Sequence, residues 1–509
     1  MTAERSSRDG GEGRDERDGK APNVVLFISD QQRADTMPGL RRAPVETPHL
    51  DWLAAQGTVF RNAFCASPIC APARTALLSG LYPHTTGMIA NYGAHERRLP
   101  EDVRLLADYL QPLGYACGYT GKWHLGTGGD RRGYSDYVSR SGAHDVDGPE
   151  QNEFLRFCAR AGIEARDGYP SQIDAGDYDR RTRVGSWRLP LAWGLSTRDA
   201  QEAVHFIRRM EDDSRPLLLT YSCFEPHRPL ASPRPFSRMY AGREQEMPLP
   251  ETRHDPAGPV LMRRRASGSL ASAETFSDDD LRAMWAAYCG SISYVDHLVG
   301  TILQALIETG QFDETLFIYT SDHGEMLGSH GLLWKGAVCY EEMIGIPFLV
   351  RPPGGLPSAH RTEHLVSHVD VVPTVLRWCG ADVPDGLHGT DIRDLVEGGQ
   401  TPVHDGVSIE YYGRRFTGQP APLRAWRTLE WKYVESPAGG EELYHLGDDA
   451  QETRNLLDDP AAAGARDRMR AALYAWLRET GDPWPEIHVP DPIGDSTSAG
   501  SAGVGAATE

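Results

Sequence analysis

Four short apolar runs along the chain each end on residues able to do chemistry. Val24-Val25-Leu26-Phe27-Ile28 is continuous rather than alternating, the pattern of a strand covered on both faces, and it delivers Ser29-Asp30-Gln31 at its carboxyl end. Leu316-Phe317-Ile318-Tyr319-Thr320 does the same for Ser321-Asp322-His323. Tyr115 to Thr120 leads into Gly121-Lys122-Trp123-His124, and Leu217 to Phe224 leads into Glu225-Pro226-His227. Beyond Asp322 the chain continues through His330 to Trp334-Lys335, a helical turn at Tyr340-Glu341-Glu342 and a further strand over Ile346 to Val350. Near the carboxyl end, the spacing of Met469, Leu473, Trp476 and Leu477 predicts an amphipathic helix within residues 460–477.

The segment Cys70-Ala71-Pro72-Ala73-Arg74-Thr75-Ala76-Leu77-Leu78-Ser79-Gly80 reads as a helix, with Pro72 in the first turn and Gly80 as its stop. Partial positive charge at its N-terminus favours an anionic sulfur or oxygen at Cys70, and Arg74 one turn on adds a fixed cation at the same spot. Taken singly, none of these features is decisive. A lone cysteine is more often a structural thiol, a lone strand-end Asp a cap or turn residue, a lone Lys a solvated surface group, and His227 among prolines a rigid turn. Together they change meaning. Two carboxylates at the ends of buried strands suit a divalent metal at the carboxyl edge of an open α/β sheet. Two lysines, two histidines and an arginine converging there would neutralise a sulfate or phosphate ester. That convergence rests on shared strand-end position, not on spacing.

Composition narrows the class. A chain of 509 residues has room for one large α/β domain and a smaller one. A net charge of -20 argues against nucleic acid or an anionic membrane as partner, so any anion site must be locally basic. No run approaches the roughly 20 apolar residues of a membrane helix. Met1 to Lys20 lacks the apolar stretch of a secretory signal. The eight cysteines show neither metal-ligand nor framework spacing and read as reduced thiols, so a cytoplasmic location is expected. Residues 1–20 and the Gly/Ala/Ser-rich residues 487–509 are expected to be disordered, leaving a catalytic domain over 21–400 and a C-terminal subdomain over 401–486.

The Cys-x-Pro-x-Arg segment resembles the signature of the type I sulfatases, whose cysteine is oxidised to formylglycine by a separate formylglycine-generating enzyme. This chain has Ala73 where that family most often has Ser, and Ser79 where it has Thr. The resemblance runs from Ala21 to Glu486. It includes Asp30-x-x-Arg33-x-Asp35, Gly121-Lys122-Trp123-His124-Leu125-Gly126, Pro226-His227-x-Pro229, and Ser321-Asp322-His323-Gly324-Glu325 continuing to His330-Gly331. At the C-terminal end it includes a Trp431-Lys432-Tyr433 strand, Glu442-Leu443-Tyr444 and Glu452-Thr453-Arg454-Asn455-Leu456. It implies an α/β, alkaline-phosphatase-like α/β/α sandwich around a large mixed sheet, with a smaller C-terminal α+β subdomain of antiparallel sheet plus helix.

The same resemblance implies hydrolysis of a small-molecule sulfate ester. Asp30, Gln31, Asp322, His323 and the hydrate derived from Cys70 would hold one divalent metal. Calcium is the family's usual ion, and the His323 imidazole leaves manganese or magnesium open. Many sulfatases have Asp at the Gln31 position and Asn at the His323 position; the Gln/His pair is similar to choline sulfatases and phosphonate monoester hydrolases. Arg74 would assist the nucleophile, His227 and Lys335 would meet the departing alcohol oxygen, and His124 with Lys122 would deprotonate the second hydroxyl. Asn91 is either a substrate-binding residue or a turn residue in Ala90-Asn91-Tyr92-Gly93. Two competing functions remain at this point. One is a phosphonate monoester or phosphodiester hydrolase, a group that usually replaces the residues matching Lys122 and His124 with neutral hydroxyl side chains. The other is a non-catalytic binding protein with Cys70 unmodified. Substrate identity is open between aryl, choline and sugar sulfates. Residues 129–195 with Trp187 and Trp193, and 251–280 with Arg263-Arg264-Arg265, are where such enzymes vary, but they read more simply as solvated surface loops, the basic triplet as a flexible charged run; Tyr411-Tyr412-Gly413-Arg414-Arg415 is a candidate to face the site from the second domain. A homo-oligomer is compatible with all of these readings.

Overall fold

The computed structural model describes residues 21–91, 99–125, 132–140, 160, 174, 176–254, 270–412, 422–437 and 440–484. Eight strands form the main sheet: β1 (Asn23–Asp30), β2 (Thr58–Phe64), β3 (Ala116–Gly121), β4 (Tyr137–Arg140), β5 (Leu217–Pro226), β6 (Thr315–Ser321), β7 (Phe348–Arg351) and β8 (His360–Ser367), in the order β8-β2-β7-β6-β1-β5-β3-β4. β1 lies at the centre, parallel to β5 and β6. β7 runs antiparallel to β2 and β6, which makes the sheet mixed. The continuous apolar runs have the cause expected of them. Along β1, Val24, Leu26 and Ile28 enter one hydrophobic core while Val25 and Phe27 enter the other.

Helices close both faces. One carries α1 (Cys70–Ser79) and α4 (Val371–Trp378); the other carries α2 (Leu195–Arg209) and α3 (Asp278–Glu308). α3 starts on a capping box, in which Ser277 accepts from the Asp280 N–H and Asp280 answers the Ser277 N–H. α1 stops where expected. Gly80 takes φ +73, returns its N–H to the Ala76 carbonyl, and sits where a Cβ would meet Val372 at 3.2 Å.

A second, antiparallel sheet of β9 (Val407–Tyr411), β10 (Leu423–Arg427), β11 (Trp431–Ser436) and β12 (Gly440–His445) packs one face on the main core. Its other face is covered by α5 (Ala463–Glu479), through Met469, Leu473 and Leu477 against Trp426, Tyr433 and Leu443. This is the sandwich with a smaller antiparallel sheet and terminal helix that the sequence implied. Among the described residues no helix is long and apolar enough to cross a membrane.

Several local expectations shift. β1 and β5 extend through Asp30 and Pro226, so the chemistry sits in the last rungs of the ladder rather than in the loops beyond. The strand expected over Ile346 to Val350 is Phe348–Arg351, and the helical turn is Glu341–Ile344 with Tyr340 as its N-cap. Trp187 is not a pocket residue: it is buried in the core against the edge of Tyr294, at 5.6 Å between ring centroids. Tyr411 is likewise core, and Tyr412 lies under the Arg424 guanidinium. In both cases a large ring is buried in the core, where it removes a large area from water. Residues 1–20, 487–509, Arg263–Arg265, Gly413–Arg415 and much of 129–175 lie outside the described residues.

Candidate active site

Three neighbouring strands bring the site together. Asp30 pairs in register with Pro226 on β5, Ser29 pairs with Ser321 on β6, and Asp322 follows one residue on. The two carboxylates therefore meet at one edge of the sheet. Both are fully buried, as is His323. The N-terminus of α1 points at the same edge. Cys70 Sγ lies 3.3 Å from His323 Nε2, 3.9 Å from Asp30 Oδ1, 2.7 Å from Lys335 Nζ and 4.0 Å from Lys122 Nζ. Ligand-capable atoms of Asp30, Cys70, Asp322 and His323 all fall within 4.8 Å of one another.

Two buried carboxylates this close require cations, and the chain supplies them from two sides. Arg74 donates Nε to Asp322 Oδ2 at 2.9 Å, Nη2 to Asp30 Oδ2 at 3.4 Å and Nη1 to the Ser222 hydroxyl at 2.6 Å. Lys122 forms an ion pair with Asp30 Oδ2. Burial works to raise the Asp30 pKa, as does Cys70, but Lys122 and Lys335 hold it below the usual carboxylate range. Burial likewise works to raise that of Cys70. Lys122, Lys335 and His323, with a hydrogen bond from His124, outweigh it and bring the thiol well below its ordinary value. His227 is pushed the other way: burial and the positive charge of Lys335 keep it neutral. Its Nδ1–H donates to the Arg228 carbonyl at 2.5 Å, which leaves the Nε2 lone pair for the pocket. His323 is oriented by the same logic, Nδ1–H to the Gly324 carbonyl at 2.9 Å and Nε2 toward the cluster.

Asp30, Gln31, Cys70, Arg74, Lys122, His124, His227, Asp322, His323 and Lys335 thus converge, although they come from six separate stretches of chain. Two positions differ from expectation. Arg74, expected to point at the nucleophile, gives these bonds to the two buried carboxylates and the Ser222 hydroxyl. Asn91 uses its amide oxygen to accept the Ala71 N–H at 2.9 Å, satisfying one of the free donors at the start of α1. Other residues escaped the sequence reading. Ser222 sits inside an apolar strand and gives no sign of holding Arg74. The Tyr288 hydroxyl bridges the Gln31 carbonyl and the Arg33 N–H from the middle of α3. Buried Glu325 was visible within a motif but carried no role. The Asp-x-x-Arg-x-Asp motif proves to be a brace: Arg33 pairs with Asp35 at 2.7 Å and donates to the Glu325 carbonyl at 3.0 Å.

The family model described as Sulfatase matches residues 22–381, and that of the N-sulphoglucosamine sulphohydrolase C-terminal region matches 328–479. The chain belongs to the sulfatase family. Among its relatives, a protein of Trinickia caryophylli named multifunctional alkaline phosphatase superfamily protein PehA is 31% identical over 501 residues, covering 89% of this chain and 94% of its own. The uncharacterized sulfatase YidJ of Escherichia coli is 28% identical over 475 residues, covering 91% and 89%. The phosphonate monoester hydrolase of Agrobacterium radiobacter superposes with a TM-score of 0.77 at 26% identity, covering 90% of this chain and 96% of its own. As a sulfatase, the chain is a hydrolase of sulfuric esters rather than a non-catalytic binding protein, and it shares its α/β/α architecture with the alkaline phosphatase superfamily.

Proposed function

We propose that this sulfatase cleaves its ester with a formylglycine made from Cys70 beside one divalent cation. The observation that carries this reading is the placement of Cys70 Sγ, 2.7 Å from Lys335 and within reach of Asp30 and His323, at a helix N-terminus. The donor set fits a cation: two carboxylates, an imidazole Nε2 lone pair, and Gln31 Oε1, a buried amide oxygen without a hydrogen-bond partner. Asp30, Gln31, Asp322 and His323 would hold the ion. Calcium is proposed, with manganese and magnesium admitted by the imidazole, and elemental analysis of the native protein decides between them. The hydrated formylglycine would supply one hydroxyl as nucleophile and another for regenerating the aldehyde, and the cation would supply positive charge at that site.

The chain's own residues account for the rest. In the thiol form, Cys70 Sγ occupies the place of those hydroxyls. Lys335 Nζ, 2.7 Å from that position, is within reach of the ester's oxygens, and we assign it to neutralise or protonate the departing alcohol oxygen. His227, its pKa lowered by burial and by Lys335 and its Nδ1 held by the Arg228 carbonyl, presents Nε2 to the departing alcohol oxygen. Lys122 holds Asp30 ionised, and His124, already bonded to the Cys70 side chain, accepts the hydroxyl proton that must leave for sulfate to be expelled. Arg74 donates to both Asp30 and Asp322 and so holds the two carboxylates in place. Lys122 and His124 also favour sulfate over phosphonate esters as the main substrate. Maturation by a formylglycine-generating enzyme and a cytoplasmic setting are part of the proposal; among the described residues seven cysteines are free thiols, which suits a reducing compartment.

The test is peptide mass spectrometry across Cys70 on protein from its own host, followed by kinetics with an aryl sulfate, a phosphonate monoester and a phosphodiester. Formylglycine together with the highest kcat/KM on the sulfate is expected, and Cys70→Ala is expected to be inactive. A phosphodiester preferred by orders of magnitude would sink the sulfate assignment, and an active chain with unmodified cysteine would sink the nucleophile.

A further inference from the structure

Gln31 is bonded on almost every side. Its backbone N–H donates to Asp322 Oδ1 at 2.9 Å, its carbonyl accepts the Tyr288 hydroxyl at 2.7 Å, and its backbone takes φ +66 as the chain leaves β1. Among the described residues its side chain makes one hydrogen bond: Nε2 donates to Glu325 Oε2. A carboxylate can only accept, so this contact dictates which end of the amide is which. The nitrogen goes to Glu325, and Oε1 is left buried without a hydrogen-bond partner among the described residues, on a residue whose own N–H is bonded to Asp322. The other oxygen of Glu325 is committed elsewhere. Oε1 accepts the Leu327 N–H at 2.9 Å and the Trp334 N–H at 2.6 Å, and Lys335, next in the chain, reaches Cys70. Arg33 holds the Glu325 backbone from the far side.

We propose that Glu325 is a positioning residue that fixes the Gln31 amide with its oxygen presented to the metal ligands, and that the same carboxylate anchors the loop that aims Lys335. It acts through Gln31 and the backbone before Lys335. The inference rests on the metal reading given above. It also explains the residue type at position 31: a carboxylate there would face the Glu325 carboxylate, whereas an amide supplies the donor that Glu325 needs and keeps an oxygen for the cation.

The experiment uses the full chain stripped of metal and titrated with Mn²⁺, free ion being followed by its electron paramagnetic resonance signal. Glu325→Gln, which can present a donor and let the Gln31 amide turn over, is expected to bind Mn²⁺ at least about tenfold more weakly, the range seen for outer partners of metal ligands. The exchanged pair Gln31→Glu with Glu325→Gln keeps the net charge and restores a donor-acceptor contact, so its affinity should return to within about threefold of the unaltered chain. Gln31→Glu with Glu325→Leu keeps the new ligand charge without that contact and separates charge from orientation; it should remain about tenfold weaker than the exchanged pair. Equal affinities for these two pairs, or no loss in Glu325→Gln, overturn the proposal while leaving the metal reading intact. Absence of Mn²⁺ and Ca²⁺ binding by the unaltered chain overturns the metal reading and this inference with it. If Glu325→Gln alone fails to fold, as judged by thermal unfolding, the comparison of the two pairs carries the same decision.

Discussion

Burial ordinarily keeps a thiol protonated, and Cys65 and Cys223 show it: both are buried close to the site carboxylates, and burial leads the causes that push each well above the ordinary thiol range. Cys70 is as deeply buried and moves the opposite way. The difference is local: Lys122 and Lys335 stand at 4.0 Å and 2.7 Å from its sulfur. In chain produced without the maturation enzyme, Cys70 is therefore expected to be a thiolate at neutral pH, and Lys335→Met should move its titration upward. Thiolate absorbance followed against pH checks this; an unmoved titration would show that Lys335 does not set the charge at this position. In the mature enzyme the same substitution removes the cation from the leaving-group side, and a loss of kcat of about 10² to 10³-fold is expected, the scale for removing one preorganised charge-stabilising group.

At the scale of elements, strand spacing fixes where the cations stand. Gly121 takes φ +96 at the end of β3, and a Cβ there would lie 1.9 Å from the Ser222 carbonyl oxygen. That same oxygen accepts the Lys122 N–H at 2.9 Å. Gly121→Ala must separate β3 from β5 just where Lys122 and Ser222 are set, so a stability loss of about 1–3 kcal/mol is expected with a fall in kcat/KM on the order of 10²-fold. Retained activity with only reduced stability would argue against this account. Asn91 poses a sharper question, cap or substrate contact. Asn91→Ala is expected to cost about 1 kcal/mol through loss of the α1 cap. Asn91→Asp keeps an accepting oxygen for the Ala71 N–H, so recovery of activity in the Asp variant assigns the residue to the helix, and inactivity of both assigns it to its amide nitrogen. The sequence carried much of this site because strands buried on both faces are continuous apolar runs, and their ends are where Asp30, Asp322, Lys122 and His227 stand. It did not show how those ends meet. Arg74 spacing is compatible with a contact to the nucleophile, and only the in-register approach of β1 to β5 and β6 places two carboxylates in front of it. Trp187 shows the converse: its indole looked like a pocket wall in isolation, and its place in the core depends on α3, about a hundred residues distant.

Across the whole molecule, the helical turn Pro83–Thr86, which starts three residues past Gly80 and so follows directly on the α1 segment, is tied to the second sheet and the end of α5 through His84. His84 Nδ1 bonds Glu410 Oε1 at 2.7 Å and Nε2 bonds the Thr480 carbonyl at 3.0 Å. Both partners only accept, so both ring nitrogens carry protons and the ring is an imidazolium. Burial opposes that charge and His388 stacks on the ring, but the Glu410 hydrogen bond and the carboxylates of Glu410 and Asp482 raise the His84 pKa above its ordinary value. Because the folded value lies above the unfolded one, this contribution is fully present below about pH 6.5 and is lost as pH rises through the raised folded value. His404 beside Asp370 shifts in the same direction, so the total slope of stability against pH does not isolate His84. The difference between the native chain and His84→Gln does. At pH 6 the variant should be less stable by about 3 kcal/mol, the lower range for removing one partner of a buried ion pair, and the gap should narrow toward pH 9. Denaturant unfolding at a series of pH values reads this directly. A gap that stays constant across the range would mean that His84 contributes packing and neutral hydrogen bonds rather than charge. A narrowing gap accompanied by a matching decline in catalytic activity at high pH would show that the second sheet, through this one ring, helps hold the helix that presents Cys70.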